Sequence, residues 1–293
     1  MNQFLTFAFI GGDLRQIRVI SRFAKEGYPV RTFGLEAASY PAGVSVFACD
    51  SLDTCIGGAD IVVLPLPYTG DGETVKTAFS ADKIYIGDCL RKMAKDQLLF
   101  AGRADDPLKT LAALYNVHLI DYMQREELAV QNSIPTVEGA IEIAMAETPY
   151  TIHQSRCLIL GHGRIGKMLS HTLGALGAKV SVAARKRADL AWIGYHGYRA
   201  LTYADLPGCI ADYDLIFNTV PHLVLDFKLL SLLSDSCLII DLASAPGGVD
   251  FETAQKLGIN VIWALSLPGK VAPQTAGDII KDTISNILEE LGV

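Results

Sequence analysis

Short runs rich in Val, Ile and Leu alternate with stretches whose apolar residues recur every three to four positions along almost the whole chain. Continuous apolar runs suit strands buried on both faces, and the three-to-four spacing suits helices laid against them, so the pattern predicts parallel sheets covered by helices. In the first half it places strands at Leu5–Ile10, Val30–Phe33, Ile61–Leu64, Ile84–Ile86 and Val117–Ile120. Helices are expected at Leu14–Glu26 and Pro107–Leu114, with a weaker one around Glu73–Phe79. The cycle restarts with strands at Cys157–Leu160, Val180–Ala183, Leu215–Asn218, Leu238–Asp241 and Val261–Ala264, and helices at Ile165–Leu176, Ala188–Tyr195 and Phe251–Leu257. Between the halves, Ser133 to Gly139 and Ala140 to Ala146 read as a connecting helix. Ser133 or Thr136 is its expected cap, with Pro135 near the start and Glu138 in the first turn. The last segment, Ala272 to Leu291, carries an apolar face of Ile279, Ile280, Ile284, Ile287, Leu288 and Leu291 that is expected to pack back on the first domain.

The length of 293 residues matches two domains. Half the residues are hydrophobic and 19% are charged, which excludes a disordered or collagen-like chain and fits sheets buried on both faces. A net charge of −7 leaves no overall basic field, so neither a nucleic acid nor an anionic membrane is expected as a partner. The six cysteines are dispersed without a C-x-x-C or Cys/His metal spacing, so they read as small buried hydrophobes in a reducing compartment, and no metal site is expected. The apolar stretch from Phe4 to Ile10 runs straight into Gly11-Gly12-Asp13 with no basic residue before it, so it reads as a first strand and not as a signal peptide. No apolar run approaches the roughly 20 residues that span a bilayer, and a soluble cytoplasmic protein is expected.

The most informative local signal is Leu158-Ile-Leu-Gly161-His-Gly163-Arg164-Ile165-Gly166, a strand followed by G-x-G-x-x-G and a helix. Gly161 permits the tight turn, Gly163 lets the backbone approach a pyrophosphate, and Gly166 permits close helix-strand packing. The next strand ends in Arg185-Lys186-Arg187, with no carboxylate where an NAD site would place one for the ribose hydroxyls. Arg185 and Lys186 are suited to a 2′-phosphate, so the expected cofactor is NADP(H). The plainer reading of Lys186 and Arg187 is a solvated helix start. Ligands of open α/β sheets lie at the carboxyl ends of the strands, which makes Thr219, Val220 and Pro221, and Ala243 and Ser244, candidates for the nicotinamide half. The expected fold is therefore α/β, two doubly wound parallel-sheet domains with a crevice between them. Residues 1–130 would form a flavodoxin- or Rossmann-like substrate domain, 131–150 the connecting helix, 151–271 a Rossmann NADP-binding domain, and 272–293 the returning helix.

Five segments carry a more specific likeness: Gly11 to Gln16, Asn132 to Gly139, Gly161 to Gly166, Asp241 to Gly248 and Leu267 to Gly277. Together they closely resemble the A subunits of dipicolinate synthases, over nearly the full chain. That resemblance implies NADP-linked oxidation of dihydrodipicolinate, or a related product of the lysine pathway, to pyridine-2,6-dicarboxylate. It also implies partnership with a flavoprotein-like B subunit, the mother-cell cytoplasm of a sporulating bacterium as location, and an architecture like that of alanine and 2-hydroxyacid dehydrogenases. Whether the chain also forms a homodimer is left open. His162 and Lys270 depart from the expected family pattern, and neither is assigned a role.

A dicarboxylate substrate calls for cations or N–H donors. Arg15 is placed by its motif to supply one, and Arg125 is a second candidate. Ser133, Thr136, Glu138 and Thr275 are further candidates for the substrate end. Each has a plainer reading: Arg125 pairing with Glu126 or Glu127, Ser133 and Thr136 capping, and Glu138 complementing a helix dipole. Spacing assembles no acid/base pair, so no catalytic residue is named. Two other functions fit the same architecture: an amino-acid or 2-hydroxyacid dehydrogenase, and a non-catalytic protein that binds NADPH beside its partner.

Overall fold

The computed structural model describes residues 5–293; Phe4, at the head of the first apolar run, lies outside the described residues. The chain divides into two compact units. One joins the residues up to Asn132 with Ala272–Val293, and the other is Ser133–Val271.

In the first unit a six-stranded parallel sheet is built from β1 (Phe7–Ile10), β2 (Val30–Phe33), β3 (Phe47–Ala48), β4 (Ile61–Val63), β5 (Leu98–Ala101) and β6 (His118–Asp121). Its order is β3-β2-β1-β4-β5-β6. The central strands are buried on both faces, and their alternation divides them between two cores. Ala8, Ile10 and Val62 enter one, and Phe7, Phe9, Ile61 and Val63 the other. Helices α1 (Leu14–Lys25), α2 (Leu52–Gly57), α3 (Ile86–Arg91), α4 (Asp106–Tyr115) and α5 (Glu126–Gln131) cover them. Two expectations fail here. Ile84–Ile86 is not a strand: Ile84 and Ile86 are buried, but Tyr85 makes a single bridge to Thr74 before Ile86 opens α3. The run Leu98–Ala101, not expected as a strand, takes the place in the sheet. Glu73–Phe79 is not a helix either. The Asp71 carboxylate accepts the Glu73 and Thr74 amides at 2.9 and 2.8 Å, and this local turn competes with helix formation in a segment rich in β-branched residues.

The second unit repeats the arrangement with β7 (Arg156–Leu160), β8 (Lys179–Ala183), β9 (Arg199–Leu201), β10 (Leu215–Asn218), β11 (Leu238–Asp241) and β12 (Asn260–Trp263). All are parallel, in the order β12-β11-β10-β7-β8-β9. Numbered within its own unit, each sheet runs 3-2-1-4-5-6, the order of dinucleotide-binding sheets, and each reverses direction between its first and fourth strands. Those reversal points are β1/β4 and β7/β10. The helices are α6 (Ser133–Glu147), α7 (Arg164–Ala175), α8 (Arg187–Tyr195), α9 (Phe227–Leu230), α10 (Phe251–Leu257) and α11 (Leu267–Val271). Strand β9 was not anticipated, because Arg199 and Ala200 are exposed and leave no apolar run. Helix α6 starts at Ser133 directly after α5, so Thr136 is an interior helical residue rather than a cap, and Glu138 falls in the second turn. It packs on α7 and α11, with Gly139 close enough to Val271 and Leu267 that an added Cβ would stand 3.1–3.2 Å from them.

The last helix, α12 (Pro273–Leu291), belongs to the first unit and lies along α1. Ile279, Ile280, Ile284, Ile287 and Leu288 join Phe7, Phe9 and Phe23 in one core. Leu291, expected on that face, is exposed at the last turn of the helix. The contact is close: a Cβ at Gly277 would stand 2.7 Å from the Arg15 carbonyl oxygen. Arg18 and Arg22 both donate to the Asp278 carboxylate at 2.8 Å, fixing the register of the two helices.

Candidate functional sites

The glycine turn of the second unit sits at the β7/β10 reversal point. Gly161 has φ +99°, and a Cβ there would come within 2.5 Å of Thr219 Oγ1. At Gly166 a Cβ would lie 2.2 Å from the Gly161 carbonyl oxygen, so α7 packs against the turn at a distance only glycine allows. Gly163 is different. It is exposed, a Cβ would meet nothing within 4 Å, and it caps α7 without any side chain to occupy the first amides. An exposed, side-chain-free helix start of this kind is the backbone surface a pyrophosphate requires.

Around this turn the sequence candidates take distinct places. Arg164 is exposed and Ile165 half-buried in the first turn of α7. Arg185 and Lys186 are exposed after β8, with Lys186 at the start of α8 and no side chain capping that helix. Thr219 donates its hydroxyl to the Leu160 carbonyl at 2.8 Å, which ties β10 to the strand before the glycine turn. Val220 is half-buried, while Pro221 and Ser244 are exposed. Ala243 is buried, and its carbonyl accepts the Trp263 indole N–H at 2.9 Å.

Two residues that sequence reasoning missed organise these strand ends. Asn218 and Asp241, both fully buried, close β10 and β11, and the Asn218 amide donates to the Asp241 carboxylate at 2.7 Å. Asn218 also donates to the Val220 carbonyl and accepts from the Val220 amide at 3.0 and 3.1 Å. Asp241 accepts from the amides of Ala243 and Gly248 at 3.0 and 2.8 Å. A buried carboxylate satisfied this fully is a scaffold for two loops. The signal was a lone polar residue ending each of two apolar strands.

His162, inside the glycine turn, has only 3% of its side chain exposed, and its Nδ1 lacks a hydrogen-bond partner. Asp189 Oδ1 stands 3.7 Å away. Burial, then the Lys167 ammonium and, more weakly, His196, hold the imidazole below its ordinary pKa against the opposing pull of Asp189.

In the first unit Arg15 lies at the β1/β4 reversal point and is buried. Its guanidinium grips Asp13 at 2.7–3.2 Å and donates to the Leu66 carbonyl, so it joins the turn after β1 to the segment after β4. Arg125 donates to Glu127 at 2.7 Å and to Glu290 at 2.5–2.7 Å, and these carboxylates raise its pKa. The plainer pairing expected for it with Glu127 is thus present. Thr275 is exposed in the first turn of α12. In the second unit Ser133 and Thr136 are buried on α6, and Glu138 is exposed. Among the described residues no group of three or more His, Cys, Asp and Glu side chains is placed to hold a metal ion, and no helix is long and apolar enough to cross a membrane.

Comparison with known proteins adds a specific likeness. Residues 6–123 match the family model for the N-terminal domain of the dipicolinate synthase A subunit. The dipicolinate synthase A subunit of Bacillus subtilis (strain 168) is 36% identical over 288 residues, 98% of this chain and 97% of that protein. The crystal structure of the same subunit from Bacillus subtilis superposes with a TM-score of 0.91 at 35% identity, covering all of this chain and 98% of that one. L-alanine dehydrogenase shares the fold alone, with a TM-score of 0.68 at 15% identity over 98% of this chain and 90% of the other.

Proposed function

This chain belongs to the family of dipicolinate synthase A subunits, and from that premise we propose that it oxidises dihydrodipicolinate to pyridine-2,6-dicarboxylate with NADP as the electron acceptor. The single observation that carries the cofactor part is Gly163: an open, exposed helix start between two glycines whose neighbours leave no space for a side chain. Aromatisation of the ring requires loss of one hydride and one proton, and bound nicotinamide would accept the hydride. The chain's part is to position. The first amides of α7 would hold the pyrophosphate, and Arg185 with Lys186 would meet a 2′-phosphate. The Asn218–Asp241 scaffold would hold the loops carrying Thr219, Val220, Pro221, Ala243 and Ser244 beside the nicotinamide. Arg15, with Asp13 and Leu66, would set the turn that faces the substrate, while Arg125, Ser133, Thr136, Glu138 and Thr275 remain candidates for its surroundings.

The reading includes a flavoprotein-like B subunit, together with work in the mother-cell cytoplasm of a sporulating bacterium. Its test is conversion of dihydrodipicolinate by the two purified proteins, followed as NADPH absorbance and as pyridine dicarboxylate. No product from a well-folded mixture that binds NADPH would favour a non-catalytic, cofactor-binding role. Turnover of oxo acids with NADPH, with or without ammonia, would favour an amino-acid or 2-hydroxyacid dehydrogenase. Arg185→Asp should weaken NADPH about tenfold or more relative to NADH in a binding titration; an unchanged ratio would remove Arg185 from cofactor choice.

A further inference from the structure

Beside the glycine turn, between α7 and α8, lies a cavity of about 270 Å³. Its walls are two pairs of side chains, each one helical turn apart: Lys167 and His171 on α7, and Trp192 and His196 at the end of α8. Tyr198 and His162 also line it. The Trp192 and His196 rings stack at 6.0 Å with planes 24° apart. Three imidazoles and an ammonium thus surround a space with an aromatic side, and no carboxylate stands among the lining residues. His162 adds a second, independent observation. Its side chain is only 3% exposed and its Nδ1 makes no hydrogen bond, the Asp189 carboxylate standing 3.7 Å off, so a buried polar atom is left for an incoming group to satisfy.

We propose that this cavity is a second ligand site, adjoining the glycine turn through His162 but distinct from the pyrophosphate's place at the first amides of α7, that takes a small planar aromatic acid with its ring against Trp192 and a carboxylate among His162, His171 and Lys167. The size agrees: a cavity of roughly 150 Å³ holds benzene, so the larger volume here leaves room for one or two carboxylates on a six-membered ring. The charge agrees as well: Lys167 brings an ammonium, the imidazoles bring N–H donors, and no carboxylate lines the space to repel an anion. Facing His162 are Lys167 and His171 from α7, and Asp189 and His196 from α8 and its end. The unliganded site disfavours the His162 imidazolium, and an entering carboxylate reverses that preference, so binding takes up a proton and strengthens as pH falls. This inference stands apart from the catalytic reading and holds or fails whatever the chain oxidises.

The test is titration of the whole chain with benzene-1,3-dicarboxylate by calorimetry and by tryptophan fluorescence, at about pH 5.5 and about pH 8, which bracket imidazole protonation. The expected result is a one-site isotherm about tenfold tighter at the lower pH, with quenching of Trp192. Trp192→Phe should remove the quenching and keep the heat, while His162→Gln and the surface variant His171→Gln should each weaken binding about tenfold. His171 is exposed, so its variant reports on binding even if His162→Gln folds poorly. Saturating NADPH should leave the affinity unchanged. Absence of binding at about 10 mM, against the micromolar-to-millimolar range of weak specific sites, would overturn the proposal. So would equal affinity at both pH values, or in His171→Gln and the parent. Competitive displacement by NADPH would also overturn it, by assigning the cavity to the nucleotide's own footprint.

Discussion

Gly163 and Gly166, in one turn of the second unit, separate binding from folding more cleanly than any other pair of residues described above. Gly163 has φ −81° and open space at its Cβ position, whereas Gly166 has the Gly161 carbonyl oxygen 2.2 Å away. Gly163→Ala should therefore fold with a thermal midpoint close to the parent and lose NADPH affinity by about tenfold or more, because the methyl occupies the pyrophosphate's approach. Gly166→Ala should lose both, since a backbone atom must move. Differential scanning fluorimetry with and without NADPH reads both outcomes. His162 gives a pH signature. Its folded pKa lies below the ordinary imidazole value, so the unfolded chain binds the proton more readily and folding loses stability as pH falls through the imidazole range. Above that range the loss is absent. His162→Gln should flatten the fall in denaturant midpoint between about pH 7 and 5. At this scale the glycines were legible because turn chemistry is local. Asn218 and Asp241 were not, because each looks like an ordinary polar strand end until the parallel register brings them together.

The contact between α1 and α12 is where an element-scale prediction belongs. Burial pushes the Asp278 carboxyl upward, but hydrogen bonds from Arg18 and Arg22 outweigh it and hold the pKa below the ordinary carboxylate value. A depressed acid stabilises the fold above its ordinary pKa and loses that contribution as pH falls through the folded value. Asp278→Asn should cost about 1–2 kcal/mol near neutral pH, as expected for charge-assisted hydrogen bonds, and much less below about pH 3. Guanidinium unfolding at the two pH values measures it, and an equal cost at both would show that packing rather than charge is lost. The helical face of α12 could be read from its period, apart from Leu291 at the end. The substitution of Leu98–Ala101 for Ile84–Ile86 as a strand could not. Both are short apolar runs, and only docking beside β4 and β6 distinguishes a sheet member from a segment that buries two isoleucines and turns.

For the molecule as a whole, two sheets of identical strand order present two reversal points, yet only the second carries the open glycine turn. Hydrogen exchange with NADPH should therefore slow around 161–166, 218–221 and 243–248, while β1, β4 and the Arg15 turn keep their unliganded rates. Free NADPH at about a hundred times its Kd should add about 2.7 kcal/mol to the stability of the unit that binds it. Protection concentrated instead around Gly11–Gln16 would move the cofactor to the first unit.

The sequence by itself determined the α/β class, the glycine turn between strand and helix, and the family, since sheet burial, helical period and glycine spacing are properties of neighbouring residues and survive without a partner. The tertiary structure alone decided which apolar runs became strands, that Arg125 reaches Glu290 as well as its neighbour Glu127, and that Asn218 meets Asp241 in a buried pair. The physical reason is distance along the chain. Arg18 and Asp278 are 260 residues apart, and no local pattern records that their charges will meet.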